Sequence, residues 1–245
     1  MRRACRGSLV VFAKQPRPGR VKTRMSPPLS PEQAALLYTA LLEDVLHVSA
    51  LAARVLELEA VLAVDPPDAA GELARLCPPG FRAVAQRGAD LSERMEWAVR
   101  EAAAGGASRI LLRGSDSPTL DTEIVAQALE ALDTHELSVC PDRDGGYSLI
   151  GLRGPVPGLF DHAMSTSRVL DDTLANAARA GLRSKTLSPR FDLDTVEDLA
   201  WLAAAVDSGQ AHSCPRTLEY ADAQDLWRLV RAPDALELAD DPQTR

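Results

Sequence analysis

Lys14, Arg17, Arg20, Lys22 and Arg24 place five cations and no acid in one short stretch of a chain whose formal net charge is -8. The chain has 24 arginines and only three lysines, and two of those lysines fall here. The cluster follows the apolar run Ser8–Ala13 and carries a glycine at Gly19. A short strand opening into a cationic loop suits a polyanion such as a nucleotide phosphate. The plainer alternative is a solvated loop kept wet by its charges.

Several acids could work against that loop. Asp116 lies in Gly114-Ser-Asp-Ser-Pro118, where small neighbours leave room for a hydrated divalent cation. Mg²⁺ needs only one or two carboxylates beside waters and phosphates; the competing role for Asp116 is an Asx-turn before Pro118. Asp192 and Asp194 are two apart, so an extended segment points both the same way. They would complete a metal cage with Asp116, or else Asp194 or Thr195 caps the next helix with Asp198. Asp144-Gly145-Gly146-Tyr147 offers an acid beside a flexible pair, as an acceptor-orienting group or base, or as an ordinary hairpin turn. Asp90, Arg94 and Gln86 surround the start of a helix, where Asp90 reads most simply as the cap. The four histidines have no metal-ligand spacing, and no G-x-S-x-G, H-E-x-x-H or Walker A pattern occurs. The chemistry therefore rests on metal and charge placement.

The elements that must position these groups alternate strand and helix. Strands are expected at 9–13, 60–64, 82–85, 109–112, 137–140, 147–152 and 183–187. Helices are expected from a Ser30-Pro31-Glu32-Gln33 capping box to about 54, then at 68–76, 90–104, 121–132, 167–180 and 195–206, with another near 221–231 and a polar tail. Such alternation predicts an α/β fold, an open, mostly parallel sheet flanked by helices, with ligands at the carboxyl ends of its strands. A domain spanning 1–206 and a helical extension with a polar tail over 207–245 is the expected division.

At 245 residues, 46% hydrophobic and 25% charged, the chain can bury a sizeable core. Its acidic balance argues against nucleic acid or an anionic membrane as partner. Cys5, Cys77, Cys140 and Cys214 form no C-x-x-C pair, and free thiols fit a reducing cytoplasm. The apolar run behind the basic start is too short for a signal peptide, and no run is expected to approach the ~18 residues that span a bilayer.

Five motifs, taken together, resemble one family: Phe12-Ala-Lys-x-Pro-x-Pro-Gly-x-Val-Lys-Thr-Arg24, Asp90-Leu-x-Glu-Arg-Met95, Gly114–Pro118, Asp144-Gly-Gly-Tyr-x-Leu-Ile-Gly-Leu152 and Asp192-x-Asp-Thr-x-Glu-Asp-Leu199. Over residues 8–205 the chain resembles the bacterial DUF2064 family, also called radical-SAM/selenodomain-associated transferase 1. That family is often labelled a glycosyltransferase linked to arsenosugar synthesis. It looks like a branch of the GT-A nucleotide-diphospho-sugar transferases, whose relatives include molybdenum-cofactor and phospholactate guanylyltransferases. The resemblance implies a GT-A fold and Mg²⁺ (or Mn²⁺) between Asp116 and the pair Asp192/Asp194. In one respect the chain departs: Met164 precedes Ser165-Thr166-Ser167 where an aromatic residue is expected.

The resulting assignment has Lys14, Lys22 and Arg24 holding phosphates, Gly19 and Thr23 shaping the loop, and Asp90 and Arg94 completing the nucleotide side. Asp116 and Asp144 are the catalytic candidates; Gly145, Gly146, Tyr147 and Thr166 line the acceptor side. The favoured reaction is glycosyl transfer from a nucleotide sugar to a small acceptor. Nucleotidyl transfer from a nucleoside triphosphate, releasing pyrophosphate, is the first alternative, and a catalytically silent nucleotide binder the second.

Overall fold

β1 (Gly7–Lys14) is an interior strand, third in a seven-stranded sheet, because its apolar run can be buried on both faces. Leu9, Val11 and Ala13 face one layer, Val10 and Phe12 the other. The computed structural model describes residues 7–230. Cys5, Arg231 and the polar tail lie outside the described residues.

The strand order is β3-β2-β1-β4-β6-β5-β7. β2 (Leu58–Asp65) and β4 (Ile110–Arg113) flank β1 in parallel, and β3 (Phe81–Ala85) pairs parallel with β2. β5 (Leu137–Pro141) turns directly into β6 (Tyr147–Leu152), closed by the Asp142 amide donating to the Gly146 carbonyl at 3.0 Å. A connection that short can only reverse the chain. β6 is accordingly antiparallel to both β4 and β5, while β7 (Ser184–Thr186) runs parallel to β5.

One face is covered by α1 (Pro31–Val55), α4 (Thr122–Ala131), α6 (Asp198–Asp207) and α7 (Pro215–Ala223). α3 (Leu91–Ala104) and α5 (Val169–Arg179) cover the other, and the short α2 (Ala70–Leu73) follows β2. The capping box at Ser30 forms as its sequence predicts, with Gln33 N–H donating to Ser30 Oγ at 3.2 Å and Ser30 N–H to Gln33 Oε1 at 2.9 Å.

Three expectations need correction. α1 carries an 18-residue window of mean hydropathy 1.4, enough by length and composition to cross a membrane. Its scattered polar residues Glu43, Asp44 and His47 hid this from a search for unbroken runs. Leu37, Leu41, Leu42 and Leu46 are fully buried, as in a core helix. α6 begins at Asp198 rather than Thr195, because the Asp198 carboxylate accepts the Asp194 and Thr195 amides at 2.9 and 2.7 Å and closes a turn there. The last helix starts earlier than 221. Pro215 opens α7, buried Asp44 of α1 accepts the amides of Arg216 and Thr217 at 3.2 and 2.8 Å, and the left-handed Asp225 precedes a 3-10 turn over Leu226–Leu229. Ala211, Cys214, Ala221 and Leu226 share a core cluster with α1.

Candidate active site

The basic loop leaves β1 at Lys14 and is drawn back against the protein by two apolar anchors, Val21 and Met25, 6% and 0% exposed. Between them Lys22 adopts left-handed φ 48°, an uncommon conformation for a residue with a Cβ. Its side chain turns inward and is 3% exposed. The Nζ pairs with Asp194 Oδ1 at 2.7 Å and with Asp116 Oδ1. It also lies 5.6 Å from the centre of the Tyr38 ring. Burial alone would lower the Lys22 pKa, but the two carboxylates outweigh it and hold the ammonium above its usual range. Burial would likewise raise Asp194; the charge and hydrogen bond of Lys22 win and hold it below the usual carboxylate range.

Tyr38 was not singled out by its sequence, since it sits mid-helix among leucines. Its hydroxyl accepts the Lys14 amide at 3.0 Å and bonds Ser115 Oγ at 2.8 Å, tying α1 to the loops after β1 and β4. Burial, then the Asp116 charge, raises its pKa.

The three expected metal ligands do not act as one set. Asp116 and Asp194 converge on one cationic point, the Lys22 ammonium, whereas Asp192 Oδ1 accepts from Ser117 Oγ. Among the described residues no group of three side chains forms a metal cluster. The physical reason is backbone pinning: Leu193 N–H donates to the Asp116 carbonyl at 2.9 Å and Asp192 N–H to Asp142 Oδ1 at 3.2 Å. Asp142, unremarked in the sequence, also accepts Ser148 Oγ at 3.1 Å. Burial first, then the neighbouring Asp142, lifts Asp192 well above the carboxylate range. With both Oδ1 atoms taken by Lys22, the pair leaves its other two carboxylate oxygens, on side chains 36% and 38% exposed, as the small ligand set that Mg²⁺ takes from protein.

These groups border a cleft of about 680 Å³ at the carboxyl ends of β1 and β4. Lys14, Thr23 and Arg24 line it, as do Arg94, Asp144, Gly146, Tyr147 and Thr166. Arg94 pairs with Asp65 at 3.2 Å. Asp144 accepts the Gly146 amide at 2.9 Å. Tyr147 buries its hydroxyl, and burial pushes its pKa up to about 12 against a smaller lowering from Thr173. Three expected residues stand back from the cleft. Asp90 caps α3 through the Glu93 amide at 2.9 Å. Gly19 serves the turn at φ 71°. Gly145, at φ 90°, packs so tightly that a Cβ would lie 2.1 Å from the Ser167 carbonyl oxygen, and its own carbonyl accepts the Leu170 amide at 2.9 Å. It joins the β5–β6 turn to the start of α5.

The family model described as an uncharacterized protein conserved in bacteria, DUF2064, matches residues 48–167. A solved structure from Desulfovibrio desulfuricans G20, provisionally named a nucleotide-diphospho-sugar transferase, is 31% identical with a TM-score of 0.79, covering 91% of this chain and 96% of that one. This chain belongs to the DUF2064 family. The DUF2064 chain also shares its fold with a cytidylyltransferase from Leptospira borgpetersenii, 12% identical with a TM-score of 0.55 over 90% of this chain and 95% of that one. A 4-diphosphocytidyl-2C-methyl-D-erythritol synthase from Anaerococcus prevotii is 11% identical with a TM-score of 0.54, covering 82% and 96%. No curated protein matches the chain. The α/β fold expected from the motifs is thus that of the nucleotide-diphospho-sugar transferases.

Proposed function

We propose that this DUF2064 protein is a glycosyltransferase that moves a sugar from a nucleotide sugar to a small acceptor. One observation carries the reading: a cationic loop and two distant acids meet at Lys22 on the carboxyl rim of the sheet. With Lys22 committed to Asp116 and Asp194, the charge left for phosphate is that of Lys14, Arg20 and Arg24, all exposed at the cleft. Three cations match a departing nucleoside diphosphate. The 31% identical neighbour, named for the same chemistry, supports this choice.

In the proposed reaction the acceptor oxygen forms a bond to the anomeric carbon while the bond from that carbon to the phosphate oxygen breaks. The nucleoside diphosphate leaves with the bonding pair. Lys14 and Arg24 stabilise the negative charge that grows on it. Asp144 orients the acceptor hydroxyl and takes its proton, which passes on to solvent. Asp116 and Asp194 would hold Mg²⁺ or Mn²⁺, which, when bound, supplies further positive charge at the leaving phosphate.

Thermal-shift titration against nucleotide sugars, nucleoside diphosphates and nucleoside triphosphates, with and without Mg²⁺, tests the reading. Stabilisation by nucleotide sugars, with nucleoside diphosphate released when an acceptor is added, is the expected result. Pyrophosphate release from a triphosphate would replace glycosyl transfer by nucleotidyl transfer. Nucleotide binding without turnover of either kind would leave a silent binder.

A further inference from the structure

The cleft is electrically lopsided, and strand order shows where the division falls. Its cations lie over β1, β2 and β3: Lys14, Arg20 and Arg24 on the loop after β1, and Arg94 on α3 beside Asp65 of β2. Beyond Asp116, over β4 and β6, the lining changes to Leu112, Ile150, Tyr147, Met164 and Val169. Four of these continue the apolar core beneath α3 and α5, and Val169 opens α5 itself.

Among the described residues one cation, Arg113, borders this second half; it is only 2% exposed, and the basic groups nearby are engaged elsewhere. Arg143, next to Asp144, stacks 3.5 Å from the centre of the Trp201 ring on α6. Arg168, two residues beyond Thr166, pairs with Asp172 at 3.3 Å. Arg113 at the end of β4 reaches through to the opposite layer and bonds Ser49 of α1 at 3.2 Å. His162 Nε2 bonds Thr173 Oγ1 at 2.8 Å. The exposed charge that borders this half is negative, from Asp144. A phosphate or carboxylate lodged here would lose water, gain no counter-ion and face a like charge.

We infer that the β4–β6 half of the cleft takes an uncharged hydroxyl compound with an apolar body, and excludes phosphorylated or carboxylated acceptors. The inference rests on the glycosyltransferase reading for the word acceptor; the charge preference of the half-cleft stands on the lining alone. Apolar surface supplies the affinity, and Asp144 with Thr166 supplies the few polar contacts that orient a hydroxyl. Met164, the residue by which this chain departs from its motif, lies within that lining.

Phenyl β-D-glucoside and phenyl phosphate, one neutral and one anionic, are suitable probes. Their binding to the full chain is compared by saturation-transfer NMR with inorganic pyrophosphate present to occupy the cationic loop. In the wild type the glucoside should bind at least about tenfold more tightly than the phosphate. Met164→Arg, or Thr166→Lys at an exposed position should the first variant fold poorly, places a cation in the half-cleft and should reverse the order. Equal or tighter binding of phenyl phosphate to the wild type would overturn the inference, as would no detectable binding of the glucoside or an order that neither variant shifts. Nucleotide is absent from this comparison. A failure of the glycosyltransferase reading therefore shows in the nucleotide titration, and a failure of the acceptor class shows here.

Discussion

Removing the Lys22 ammonium without emptying its space is the sharpest perturbation the site allows. Lys22→Met keeps the length of the side chain and leaves Asp116 and Asp194 facing each other with no cation between them. The lysine is 3% exposed, so its loss resembles breaking a buried pair, which costs about 3–5 kcal/mol. The carboxylates are 36% and 38% exposed, so water screens their repulsion, as in surface pairs worth under about 1 kcal/mol. An intermediate loss of about 2 kcal/mol follows, or about 4–8 °C in Tm for a chain of this size.

The pH dependence fixes the cause. Asp194 is held below its unfolded value, so its contribution is present above about pH 4 and lost as pH falls through the folded value. Lys22 is held above its unfolded value, so its contribution is complete below about pH 10 and lost as pH rises through the folded value. Urea melts of wild type and variant should thus differ by a roughly constant amount between about pH 4 and pH 10, and the gap should narrow as pH moves outside that window. A gap under about 0.5 kcal/mol at pH 7, or one that does not narrow as pH falls below about 4, would refute the three-way charge contact.

Other sites give cleaner tests of the frame around the cleft. Gly145→Ala places a Cβ at φ 90° and 2.1 Å from the Ser167 carbonyl oxygen, so chemical denaturation should show a loss of at least about 2 kcal/mol; a near-neutral variant would mean that the turn does not pack on α5. Asp44→Ala strips two α7 amides and the Thr217 hydroxyl of their acceptor, for an expected loss of about 1–3 kcal/mol in the same assay. Asp192 is held above its unfolded value, so it erodes stability as pH rises from about 4 towards its folded value. Asp192→Asn should therefore gain on the wild type between pH 5 and pH 8 in paired thermal melts, and a gain that shrinks over that range would remove the buried carboxyl pair.

Helix starts and strand positions were legible because they are written in local chemistry: Ser30 with Gln33, Asp90 with the Glu93 amide, the apolar runs of β1 and β4. The reversal of β6 was latent in Asp142–Gly146, whose length permits nothing but a hairpin. What could not be read was which neighbour each polar group would choose. Asp192 and Asp194 look equivalent two residues apart. The pinned amides of Asp192 and Leu193 set them to different partners, Ser117 on the loop after β4 and Lys22 on the β1 loop, 75 and 172 residues away. Tyr38 and Arg113 stayed hidden for a related reason. Each is a polar group in an apolar element, and only tertiary packing shows that Tyr38 bridges two loops while Arg113 ties the loop after β4 to α1.

The charge cluster that marks the sequence does two jobs, and the distinction bears on how a polyanion is held. A loop of five exposed cations would bind phosphate loosely, because each side chain keeps its water and screening is strong. Burying Lys22 between two acids gives the loop a fixed anchor. Val21 and Met25 seat it from either side, and Tyr38 holds the Lys14 amide. Lys14, Arg20 and Arg24 are then presented from a backbone already in place, so ligand binding need not first order the loop. The acids that look like a pure metal site by sequence are on this account also the structural counter-charge of the phosphate loop. Charge removed at Asp116 or Asp194 should accordingly loosen the loop as well as the cation site, so Asp194→Asn should raise amide hydrogen exchange across residues 20–25 even in protein without nucleotide or metal. Unchanged exchange there would confine Asp194 to the cation site and leave the loop to its apolar anchors.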